Sequence, residues 1–138
     1  MAWQVLLVRL PDHLRSLEDL PADWVPQPLG APDRVAARIA AVTQAIAPKG
    51  SELDAGGDRL LVLRADDFVI EAELGGVAEV DRVLLNVLGS DAALPLVGAL
   101  SRALDASAID CETDAVLDTD AIVPDTLRRW QIRIDDLR

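Results

Sequence analysis

The segment FVIEAELGGVAEVDRVLLNVLG, residues 68–89, decides the fold of this chain. Along 68–74 the residues alternate: Phe68, Ile70, Ala72 and Leu74 fall on one side of an extended chain, Val69, Glu71 and Glu73 on the other. A period of two marks a β-strand with one face in a core and one toward water. Gly75-Gly76 supplies the backbone freedom of a hairpin turn into VDRVLLNVLG (80–89), which is apolar on both faces, as a central strand would be. Strands joined by a short turn run antiparallel. A meander is therefore expected, with Glu71 and Glu73 on the open face of its middle strand.

Outward from this hairpin, RLLVLR (59–64) adds a strand after the flexible Gly56-Gly57 pair. SDAALPLVGALSRALD (90–105) predicts a helix, capped by Ser90 or Asp91, with Leu94, Val97, Leu100 and Leu104 as its buried stripe. APDRVAARIAAVTQAIAPKG (31–50) predicts a second helix over about 33–47. Pro32 suits its first position, Asp33 its positive end, and Pro48 and Gly50 stop it. Its apolar stripe is expected to be Val35, Ile39, Val42 and Ile46. WQVLLVRL (3–10) reads as an interior strand and ASAIDC (106–111) as a short last one. The order strand, helix, three strands, helix, strand predicts an α+β fold. Its expected form is a two-layer sandwich, a mostly antiparallel sheet with two helices on one face.

At 138 residues the chain suits one α/β domain spanning 1–138. Within it, 11–32 is a proline-rich loop carrying Pro11, Pro21, Pro26, Pro28 and Pro32, in which 12–20 can form two helical turns and Trp24 can act as an anchor. Residues 124–138 read as a C-terminal extension, with Trp130, Ile132 and Ile134 positioned to dock as an edge strand. Hydrophobic residues make up 51% and charged residues 27%, a globular balance and not a disordered one. The start, MAWQVLLVRLPDH, lacks a basic region and reads as a strand and not a signal peptide. A cytoplasmic protein is expected.

The net charge of −11 is the wrong sign for nucleic acid, whose phosphates require Lys and Arg, and for anionic membranes. It favours a basic protein partner. The charge is densest in AIDCETDAVLDTDAIV (108–123), which holds Asp110, Glu112, Asp114, Asp118 and Asp120 and no basic residue. As a calcium loop this stretch fails. Ala115 stands where a glycine turn is needed and Ala121 where a bidentate glutamate is needed. No metal and no cofactor are expected.

Catalytic signals are equally thin. His13 is the single histidine, and Cys111, the single cysteine, lies between Asp110 and Glu112, whose charges oppose a thiolate. No catalytic residue is assigned. The alternative to a binding protein is a small enzyme or ligand-binding domain that brings Glu71, Glu73 and Asp110 together.

PLGAPDRVAARIAAV (28–42), FVIEAEL (68–74), VLLNVLG (83–89) and ALPLVGALSRALDASAIDCETDAVLD (93–118) together resemble a group of small, largely uncharacterised bacterial α/β proteins. The group's pattern is a Leu-Gly helix start, an F-x-I-E strand, a strand ending in glycine, and a helix leading to Ile/Leu-Asp-Cys/Thr-x-Thr-Gly. The chain departs from it twice: Leu104-Asp105-Ala106 replaces Leu-Gly-Trp, and Thr113-Asp114 replaces Thr-Gly. Some proteins of this kind resemble immunity proteins of toxin systems. That likeness implies a non-enzymatic, immunity-type inhibitor of a basic toxin, and the charge pattern gives Asp110, Glu112, Asp114, Asp118, Asp120, Glu71 and Glu73 as its candidate contacts, with Trp24 in the proline-rich loop as a further one.

Overall fold

The computed structural model describes residues 3–11, 20–57 and 59–117. Strand β1 (Trp3–Val8) is followed by helix α1 (Pro32–Ile46), β2 (Glu52–Gly57), β3 (Leu60–Arg64), β4 (Phe68–Gly75) and β5 (Arg82–Gly89). A 3-10 turn at Asp91–Ala93 leads into α2 (Leu94–Ala103), then β6 (Ser107–Asp110) and β7 (Val116–Leu117). Among the described residues the strands form a seven-stranded sheet, β2-β3-β4-β5-β1-β6-β7, in which every pair is antiparallel. Strand β5 is the middle of the seven and β1 lies beside it, which explains why both are apolar on two faces.

Register builds the core. Ile70 faces Val87, which faces Trp3; Ala72, Leu85 and Val5 form the next row, and Leu74, Val83 and Leu7 the third. Directly opposed residues share a face. These side chains are buried in one cluster with Val35 and Ile39 of α1 and Leu94, Val97 and Leu100 of α2. At about 1.5–3 kcal/mol for each large aliphatic side chain removed from water, this cluster is the main stabilising term. Leu104 completes the expected α2 stripe, all of it buried. Ser90 precedes the 3-10 turn and its Oγ accepts the Ala92 N–H at 3.3 Å, so it caps that turn, while the residue that caps α2 is Ala93 and not Ser90 or Asp91.

The α1 stripe is rotated from its expected course. Val35, Ile39 and Thr43 are the buried residues, Val42 is only partly buried, and Ile46 is 48% exposed. A line at spacings of four replaces one at four, three and four. Ile46 sits in the last turn, just before Ala47 and Pro48, and leaves the core contact. Thr43 is tolerated inside because its hydroxyl donates to the Ile39 carbonyl at 2.8 Å.

Two strands were not expected: β2, which pairs with β3, and β7, which pairs with β6. The turn after β4 is also longer than a Gly-Gly pair, spanning 76–81 before β5 begins. Val80 pairs instead with Gly30, donating to its carbonyl at 2.8 Å while accepting the Leu29 N–H at 2.6 Å. Gly76 has φ +117, and a Cβ there would lie 2.1 Å from the Glu79 carbonyl oxygen, so only glycine fits. The helical turns expected within 12–20 and the edge strand expected within 124–138 lie outside the described residues, apart from Leu20.

Candidate functional site

The face of the sheet opposite the core carries the side chains that alternate with it. One register row crosses that face from the β2 edge to β1: Asp54 of β2, Val62 of β3, Glu71 of β4, Asn86 of β5 and Gln4 of β1. The Gln4 carbonyl then accepts the N–H of Cys111, at the start of the turn that joins β6 to β7. With strands ~4.8 Å apart, the row from β2 to β6 is about 24 Å long. Asp54 stands at its β2 end and Glu71 at its middle, and the exposed Glu112 and Asp114 lie in the turn beyond its far end.

Glu71 stands between Val62 and Asn86, and Glu73 between Leu60 and Leu84, so neither has a Lys or Arg directly opposite. The basic side chains nearby are engaged elsewhere. Arg64 reaches Asp54 at 3.0 Å and Arg82 reaches Asp81 at 3.0 Å. Arg59 donates to the carbonyls of Gly76 and Val77 at 2.8 and 2.9 Å, holding the 76–81 turn. In the same row Gln4 Nε2 donates to Asn86 Oδ1 at 3.0 Å. Gln4 and Asn86 were visible in the sequence as polar interruptions in apolar strands, a signal that sequence reasoning passed over.

The acidic stretch 110–117 is a hairpin, its turn at 111–115 joining the end of β6 to β7. Asp110 is only 8% exposed and is paired with Val5, on the core side of the sheet. Its Oδ1 accepts the Glu112 N–H at 3.0 Å, its N–H donates to the Ala115 carbonyl at 2.9 Å, and its carbonyl accepts the Asp114 N–H at 2.8 Å. Thr113 Oγ1 accepts the Ala115 N–H at 3.3 Å. An aspartate that bonds the backbone two residues on is a turn-former. Asp110 therefore builds the turn, while Glu112 and Asp114 are exposed at its tip. Asp118 and Asp120 lie outside the described residues.

This arrangement separates the trio considered for catalysis. Glu71 and Glu73 occupy the outer face and Asp110 the core side, with β5 and β1 between them. The grooves at the end of α1 (≈ 540 Å³, with Thr43, Gln44 and Lys49) and beside Trp24 (≈ 480 Å³, with Arg9, Val25 and Gln27) contain none of the three. Among the described residues no three His, Cys, Asp or Glu side chains are placed to hold a metal ion. Nor is any described helix long and apolar enough to cross a membrane.

Cys111 has its thiol pKa raised, first by burial and then by the charges of Asp110 and Asp114, against a backbone hydrogen bond from Leu6 that lowers it. The sequence pointed to Glu112 as the second charge; the turn brings Asp114 round in its place.

Trp24 is half-buried in the groove beside Arg9, where Val25 is 73% exposed. Arg9 itself bonds backbone carbonyls: Pro28 at 2.8 Å, Asp105 at 3.3 Å and Leu104 at 3.4 Å. It thus ties the loop to the negative end of α2.

Comparison with known proteins finds no matching family model, no matching curated protein and no matching solved structure.

Proposed function

We propose that this chain is a non-enzymatic acidic binding protein, of the immunity type, that covers the basic surface of a bacterial toxin. In this reading the helices and sheet form a two-layer sandwich, and the sheet face away from the helices is the binding face. The observation that carries it is the outer-face row from Asp54 through Glu71 to the Cys111 turn, whose β4 carboxylates have no basic residue opposite them. Uncompensated carboxylates held on a sheet repel one another, and a cationic partner relieves that repulsion.

The test is co-expression with a panel of basic bacterial toxin domains, together with association kinetics at low and high ionic strength against any toxin that is neutralised. The parent should restore growth. Glu71→Lys with Glu73→Lys should slow association at least about ten-fold at low salt and flatten its salt dependence. Glu112→Lys with Asp114→Lys should act in the same direction from the other end of the row. Unrestored growth, or rates and salt slopes unchanged in both variants, would remove the basis for this reading.

A further inference from the structure

We propose that the partner engages this protein by adding an extended segment of its own as a new strand on the open edge of β2. This rests on the reading above that the partner is a basic protein, and it supplies the mode of docking.

Among the described residues strand β2 pairs only with β3, and five of its six residues are exposed; Leu53 is half-buried. An edge strand presents a row of outward N–H and C=O groups, a template for main-chain pairing. The chemistry at β2 then says what fits.

Glu52 and Asp54 project on the outer face, opposite Arg64 and Val62 respectively. Arg64 pairs with Asp54 at 3.0 Å, and that pair is more than half exposed on each side. Such a pair contributes little and exchanges readily for a better-placed cation. Leu53 and Ala55 face the other way, opposite Leu63 and Leu61. On that side an apolar groove of ≈ 330 Å³ runs between α1 and the strand, lined by Pro32, Ala36, Ala55, Leu61 and Leu74. A matching segment therefore alternates Lys or Arg with aliphatic residues, its cations over Glu52 and Asp54 and an aliphatic side chain in the groove.

A second copy of this chain is disfavoured, because antiparallel β2–β2 pairing would set these carboxylates against each other. The register shift at Gly56 ends the usable edge, leaving Glu52–Ala55.

The probe is a blocked seven-residue peptide of alternating lysine and valine, titrated to millimolar concentration. Its controls are the same peptide N-methylated at alternate amides, a block-scrambled peptide, and an alternating glutamate–valine peptide. Binding is read by fluorescence anisotropy and by amide hydrogen exchange at Leu53, Asp54 and Ala55. The alternating peptide should slow exchange there. It should bind about ten-fold or more tighter than its N-methylated form, the effect of losing two or so hydrogen bonds.

Adjacent strand residues turn their N–H groups to opposite sides, so one of Asp54→Pro and Ala55→Pro removes an outward donor and spares the β2–β3 ladder, and Asp54→Asn is the control for the carboxylate that Asp54→Pro also removes. The proline variant that spares the ladder should keep the parent's melting temperature and lose the peptide. Equal binding by the N-methylated or scrambled peptide, or unchanged exchange at 53–55, overturns the proposal. If that happens while Glu71→Lys with Glu73→Lys still slows toxin association, the edge mode falls and the inhibitor reading stands.

Discussion

Two aspartates, Asp105 and Asp114, hold backbone conformations that glycine adopts at lower cost. Their φ values are +50 and +59, and among the described residues they are the non-glycine positions in the left-handed region. Asp105 follows α2, where its N–H donates to the Arg102 carbonyl at 3.1 Å and the Ala106 N–H to the Ser101 carbonyl at 3.0 Å, a pairing that normally ends in glycine. Asp114 closes the acidic turn. These are the same two positions at which the chain departs from the glycines of the pattern set out above. Asp105→Gly and Asp114→Gly should each stabilise the protein by about 0.5–1 kcal/mol in urea denaturation, since a side chain at positive φ costs roughly 1 kcal/mol and each change removes an acid. A loss of stability in both would show that the carboxylates hold these turns.

Cys111 gives a pH signature at the same scale. Its pKa is raised in the folded protein, so the folded state holds its proton where the unfolded chain has released it. Stability is therefore unaffected below the unfolded thiol value of ~8.5 and falls as pH rises above it toward the folded value. Cys111→Ala should flatten that alkaline decline in melting temperature. An equal slope in parent and variant would place the alkaline sensitivity in other groups.

At the scale of elements, α1 provides the sharpest contrast. Ile39→Asp should unfold the domain, because it buries an unpaired charge in the cluster. Ile46→Asp should change stability by less than about 0.5 kcal/mol, since that side chain already meets water. Thermal melts of the two variants check this directly, and equal damage from both would restore Ile46 to the core. The sequence could not distinguish these positions, because stripes at 35, 39, 42, 46 and at 35, 39, 43 both follow a helical period. What excludes Ile46 is where the helix ends relative to the core, a tertiary fact.

Strand β4 was fully legible because half-burial imposes strict alternation on it. Strand β2, ELDAGG, was not. An edge strand with little apolar burial needs no hydrophobic pattern, and Glu, Asp and Gly are poor strand formers held there by pairing with β3. The candidate site divides in the same way. Glu71 and Glu73 could be placed on an open face from their period, whereas the turn-building role of Asp110 depends on hydrogen bonds to Glu112 and Ala115 that composition does not reveal.

For the whole molecule, the excess of acid sets stability against binding. The sequence carries a net charge of −11, and the outer face concentrates part of it where no basic residue stands opposite. Self-repulsion of this kind destabilises the compact state and is screened by salt over ~8–10 Å. A surface kept for binding should therefore gain stability when it is neutralised, and lose affinity. Glu71→Gln with Glu73→Gln keeps the size and polarity of both side chains and removes two charges. The variant should melt a few degrees above the parent at low ionic strength, the shift expected of roughly 0.5–1 kcal/mol in a domain of this size. The two melting temperatures should converge as salt is raised past about 0.5 M, where the Debye length shrinks to a few ångströms. Association with the basic partner should slow over the same low-salt range in which stability rises. A variant less stable than the parent at low salt would mean that Glu71 and Glu73 support the sheet through hydrogen bonds, and the outer-face charge would then be part of the fold's own stability.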